Sequence, residues 1–134
     1  MPSIAIVCTS SPTLGGHKTG LWLEECASPY YTFHEAGYEV ILASPLGGPV
    51  PLDAASLGAD FLTEPAKKFL LDPAAMGSLS HTTKLADVDT SALDAIFFCG
   101  GHGTCAAGDF VDNASVKAAV EGMYSAEKVV AAVC

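Results

Sequence analysis

The apolar run at residues 128–133 (KVVAAV) ends in Cys134, a thiol placed where a strand gives way to a turn. A nucleophile at such a position is lifted clear of a sheet by the turn that follows, and a helix N-terminus aimed at the sulfur favours thiolate. A second feature, Gly100-Gly101-His102-Gly103, follows another apolar run at residues 93–99 (LDAIFFC). It is too rich in glycine for a strand or helix. Its backbone N–H groups suit close approach to a substrate and the holding of a developing oxyanion. Taken alone, Cys134 also reads as a buried strand-end cysteine, and His102 as a satisfied loop histidine. The four histidines and five cysteines show no H-x₃-H, C-x-x-C or H-E-x-x-H spacing, so neither a metal nor another cofactor is expected. GGHG lacks the Lys-Ser/Thr of a phosphate loop and is not G-x-G-x-x-G, which argues against a nucleotide.

These residues need a scaffold that brings strand ends together. Residues 4–8, 38–44, 93–99 and 128–133 are short apolar or β-branched runs, each read as a strand. Between the first two lies a Gly/Ser/Pro-rich loop at residues 10–19. A helical period follows over residues 20–36, with Gly37 as its stop and Pro29 as an expected kink or split. Residues 61–71 and 73–79 read as helical pieces separated at Asp72-Pro73. Asn113 is a plausible N-cap for a helix over residues 114–126, whose apolar stripe is Val116, Ala119, Val120 and Met123. Strands alternating with helices imply a parallel sheet with crossover helices on both faces, and no linker or repeat divides the chain. In such sheets sites form outside the carboxyl ends of the strands, where the 10–19 loop, the glycine turn and Cys134 all fall. Trp22, Tyr30, Tyr31 and Phe33 read as core and dimer surface.

Composition narrows the partners. Half of the 134 residues are hydrophobic, enough for one domain with a packed core. The net charge is −9 and the six Lys+Arg are scattered, so neither nucleic acid nor an anionic membrane surface is an expected partner. Cys8 and Cys99 sit inside apolar runs, the usage of a reduced protein in which thiols act as small hydrophobes. With no basic n-region, h-region or 18-residue apolar run, the expected location is cytoplasmic.

The stretches LGGHKTGLWLEECASPYYTFHEAGYEVILASPLGGPVPLD, LDAIFFCGGHGT and KVVAAVC resemble the Hsp31-like branch of the DJ-1/PfpI superfamily, from Ile4 to Cys134. The resemblance implies an α/β flavodoxin-like sandwich, incomplete here in its C-terminal part, and usually a homodimer. It implies a reactive cysteine hydrogen-bonded to a glutamate, with Cys134 at the nucleophile position and Glu25 at the glutamate position. Gly101 takes the oxyanion position through its N–H, and His102 lines the pocket. The implied activity is a cofactor-free, glutathione-independent glyoxalase that turns methylglyoxal, a small 2-oxoaldehyde, into lactate. A stress-response holdase, a deglycase, a redox sensor and a cysteine peptidase are the alternatives. The sequence departs from the family's pattern at residues 104–108, which carry no tryptophan and precede Asp109. The pattern also continues past the cysteine with a histidine and further strands and helices. A C-terminal segment completing the domain is therefore expected.

Overall fold

Alternation along the first strand, β1 (Ser3–Val7), splits its side chains between two cores. Ile6, with Cys8 just beyond the strand, enters one core, while Ala5 and Val7 enter the other. The computed structural model describes residues 1–134. After β1 come β2 (Thr13–Leu14), β3 (His17–Lys18), α1 (Leu23–Glu35), β4 (Glu39–Ser44), α2 (Glu64–Leu70) and α3 (Pro73–Ser80). Then follow β5 (Thr83–Lys84), β6 (Ala95–Phe98), α4 (Ala114–Ser125) and β7 (Val129–Ala132).

Five strands form one parallel sheet in the order β5-β4-β1-β6-β7. β1 lies at its centre, with Ile4 opposite Val40 on one side and Ala95 on the other. Helices α1, α2 and α3 supply Leu23, Cys26, Tyr30, Phe69 and Leu79 to the first core, and α4 supplies Ala119 and Met123 to the second. The sheet is thus covered on both faces, the flavodoxin-like arrangement expected. Ile6, Leu21, Leu23 and Phe69 are almost wholly buried, and each such side chain contributes roughly 1.5–3 kcal/mol.

All four expected strands form, and the differences have local causes. The first helix begins at Leu23 rather than at residue 20, because Leu21 pairs with Leu52 in extended backbone. Pro29 does not split it: α1 runs unbroken for 13 residues around that proline. The 61–71 helix starts only at Glu64, where the Thr63 hydroxyl accepts from the Ala66 N–H and Pro65 occupies the first turn. The 10–19 loop holds the β2–β3 hairpin, and the two-residue β5 extends the sheet beyond β4. Asn113 caps α4 as expected, its Oδ1 accepting from the N–H groups of Ser115 and Val116. β7 is a partly exposed edge strand, with Val129 62% accessible, because it pairs with β6 alone.

Candidate active site

The carboxyl ends of β6 and β7 lie side by side, in register from Ala95↔Val129 to Phe98↔Ala132. That register carries Cys134 to the glycine turn that follows β6. Gly100 marks the meeting point. A Cβ built there would lie 2.5 Å from the Cys134 Cβ and 2.6 Å from Glu25 Oε1. The structure therefore brings Cys134 and Glu25 to one place, although they are 109 positions apart in the chain. They adjoin the same backbone atom, and no hydrogen bond joins thiol to carboxyl in this arrangement. Cys134 has φ 68, in the left-handed region.

Gly101 has φ 126, and a Cβ there would strike the Gly20 carbonyl oxygen and approach the Trp22 nitrogen to 2.8 Å. Only glycine fits so close a crossing of two backbones. The Trp22 N–H donates to the Gly100 carbonyl at 3.2 Å, which ties the turn to the entrance of α1. The Gly101 carbonyl accepts from both the N–H and the hydroxyl of Thr104, at 3.2 and 2.9 Å. No protein acceptor takes the Gly101 N–H, so it is available to an oxyanion.

Glu25 lies in the first turn of α1, half-buried. Its pKa is raised from the ordinary 4.5, first by burial and then by the charge of Glu24 beside it. His102 is largely exposed, with its Nδ1 3.9 Å from Asp53 Oδ2. Asp53 is in turn held by the Thr19 hydroxyl at 2.8 Å. Cys134, Glu25 and His102 line one open depression of about 490 Å³, together with Trp22, Glu24, Asp60, Phe61 and Thr63. Trp22 and Phe61 meet edge to face there, ring centroids 5.1 Å apart. Trp22 thus lines the cavity and is not a core residue, whereas Tyr30 and Tyr31 are core. Asp60 and Phe61 gave no signal in the sequence. They reach the cavity from the turn before α2, and no motif marks that turn.

Asp109, beyond the departing segment at residues 104–108, is buried beneath the 9–11 loop. Its carboxylate accepts from the Thr9 hydroxyl at 2.7 Å and the Ser10 N–H at 2.8 Å. Burial raises its pKa, while those two bonds act the other way. The departure from the family's pattern therefore still delivers an acid that locks two loops of the site edge together.

A sequence model of the DJ-1/PfpI family matches residues 19–134. This chain belongs to the DJ-1/PfpI family. Glyoxalase 3 of Candida albicans is 31% identical over 121 residues, covering 89% of this chain and 50% of the relative. The chain thus spans about half the length of that curated relative. Among solved structures, the 24 kDa rapid encystment protein of Francisella tularensis is 34% identical with a TM-score of 0.91, covering 100% of this chain and 59% of that one. The crystal structure of glyoxalase III from Candida albicans is 27% identical with a TM-score of 0.83, covering 99% of this chain and 56% of that one. This DJ-1/PfpI chain therefore has the flavodoxin-like α/β fold of its relatives, and its likeness to glyoxalase 3 puts it on the Hsp31-like branch. No helix is long and apolar enough to cross a membrane.

Proposed function

We propose that this chain carries the nucleophile of a cofactor-free glyoxalase that converts methylglyoxal to lactate without glutathione. The observation that supports this best is the convergence of Cys134, Glu25 and the unengaged Gly101 N–H around the 100–101 turn.

The Cys134 thiolate adds to the aldehyde carbon and gives a hemithioacetal. The Gly101 N–H steadies the oxygen that becomes negative. A proton then leaves that carbon and returns at the neighbouring one through an enediol, so the aldehyde carbon is oxidised and the ketone carbon reduced. No external oxidant is needed, because both changes occur in one substrate. Water cleaves the resulting thioester, releasing lactate and the thiol. Glu25, protonated more readily than an exposed carboxyl, supplies a hydrogen bond to the sulfur after a small side-chain adjustment. In the family's pattern the proton transfer between carbons falls to a histidine that follows the cysteine. The carboxyls of Glu24 and Asp60, which also line the cavity, suit a neutral 2-oxoaldehyde and repel the anionic product.

The test is lactate formation from methylglyoxal, without thiol cofactor, by the parent protein and by Cys134→Ser and Glu25→Gln. Cys134→Ser should abolish turnover with the fold intact, and Glu25→Gln should lower kcat more than it raises KM. Unchanged turnover in Cys134→Ser would overturn the mechanism.

A further inference from the structure

Beneath this cavity lies a cluster that the proposed reaction does not use. Cys8 follows β1, Cys26 lies on α1 next to Glu25, and Cys99 follows β6 immediately before Gly100. Three separate elements thus aim a sulfur at one point. The three sulfurs lie within 4.8 Å of one another, and the Cys8 thiol donates to Cys26 Sγ at 3.7 Å. Cys8 and Cys26 are 0% exposed and Cys99 is 2% exposed. All three are free thiols.

We propose that Cys8, Cys26 and Cys99 form a three-sulfur site for a single Cu(I) ion, below the floor that supports Cys134 and Glu25. A thiolate–metal bond of about 2.3 Å places an ion at the centre of a sulfur triangle with edges of about 4 Å. The triangle here, with one edge of 3.7 Å and none above 4.8 Å, closes on such an ion with small side-chain movements. The donor set decides the metal class. It is sulfur alone, which selects soft ions and excludes Mg²⁺ and Ca²⁺. It offers three ligands in a site sealed from water, so the fourth position that Zn²⁺ normally fills has no donor. Cu(I) is satisfied by two or three sulfurs.

Charge also favours a monovalent ion. Each thiol that binds as thiolate releases one proton to solvent, and no electron moves. Cu(I) exchanged for one proton leaves the buried cluster's charge unchanged, and each further proton lost adds one negative charge to an apolar site. The bound ion ties β1, α1 and β6 together directly under the site.

The test begins from reduced Cys105→Ser/Cys134→Ser protein, which keeps only the three buried thiols. It is refolded anaerobically with Cu(I) supplied as its acetonitrile complex, then desalted against a Cu(I) chelator. The expected result is one copper retained per chain, a raised Tm, and an X-ray absorption spectrum with sulfur scatterers alone. Adding Cys26→Ala should remove the retained copper. No retained copper, nitrogen or oxygen scatterers in the loaded protein, or equal retention by the Cys26→Ala variant would each overturn the proposal. The absorption spectrum decides the matter even if Cys26→Ala fails to fold. Turnover is never read, so the outcome is independent of the glyoxalase proposal.

Discussion

Gly100→Ala is the sharpest probe of the site, because one added carbon meets both candidate catalytic side chains. The new Cβ would lie 2.5 Å from the Cys134 Cβ, 2.6 Å from Glu25 Oε1 and 3.0 Å from the Val133 carbonyl oxygen. Gly100 is outside the left-handed region, so the perturbation is steric and not a backbone-strain effect. The Glu25 carboxyl is the end of a flexible chain and swings away cheaply. The Cys134 Cβ and the Val133 carbonyl are backbone or fixed to it, so they must retreat by about 1 Å to reach ordinary contact, and a misplacement of that size can cost about 10²-fold in rate. Overpacking of this kind costs about 1–3 kcal/mol, which corresponds to a fall in Tm of roughly 3–15 °C. The assay is kcat/KM for methylglyoxal beside a thermal melt, with Gly77→Ala on α3 as control. A Cβ at Gly77 has nothing within 4 Å, and removing a helical glycine stabilises by up to about 1 kcal/mol. If Gly100→Ala keeps parental kcat/KM and Tm, Cys134 and Glu25 are not packed around Gly100, and the site geometry argued above is wrong.

The raised pKa of Glu25 carries a signed prediction. The folded chain holds this proton more tightly than the unfolded one, so the contribution to stability is full below the ordinary 4.5 and is lost as pH rises through the raised folded value. Glu25→Gln should remove that loss, read as a flatter dependence of urea midpoint on pH across the acid range. Glu24→Gln removes the second cause of the shift, so a carbon-13 titration should find Glu25 moved back toward 4.5, and an unmoved Glu25 would exclude Glu24 as a cause. Asp109→Ala leaves the Thr9 hydroxyl and the Ser10 N–H without their acceptor, and should cost about 2–4 kcal/mol by denaturant unfolding. Asp109→Asn keeps one acceptor oxygen and should cost less, and equal losses would show that the charge matters more than the hydrogen bonds.

Much of this architecture is written locally. Four strands, α1 and α4 are legible because burial imposes periods of 2 and 3.6 on neighbouring residues, and the Asn113 cap and the 100–103 turn announce themselves by residue type. Two-residue strands such as β5 leave no period to detect, and the start of α1 depends on Leu21 pairing with Leu52, a partner 31 positions away. Site chemistry divides the same way. The thiol at the end of residues 128–133 and the glycine turn were visible as candidates, and Glu25 entered through its likeness to a family's glutamate. Their meeting at Gly100 is a product of β6–β7 register and of α1 crossing the end of the sheet. Cys8, Cys26 and Cys99 are the extreme case. Spacing rules find ligands that one loop or helix turn can gather, whereas these three sulfurs come from two strand ends and a helix. The sequence by itself determined which elements form and which thiols are apolar enough to be buried. Packing of α1 on the central strands decided that those thiols touch, because a contact between distant residues depends on the crossover that folds one element onto another, not on their positions along the chain.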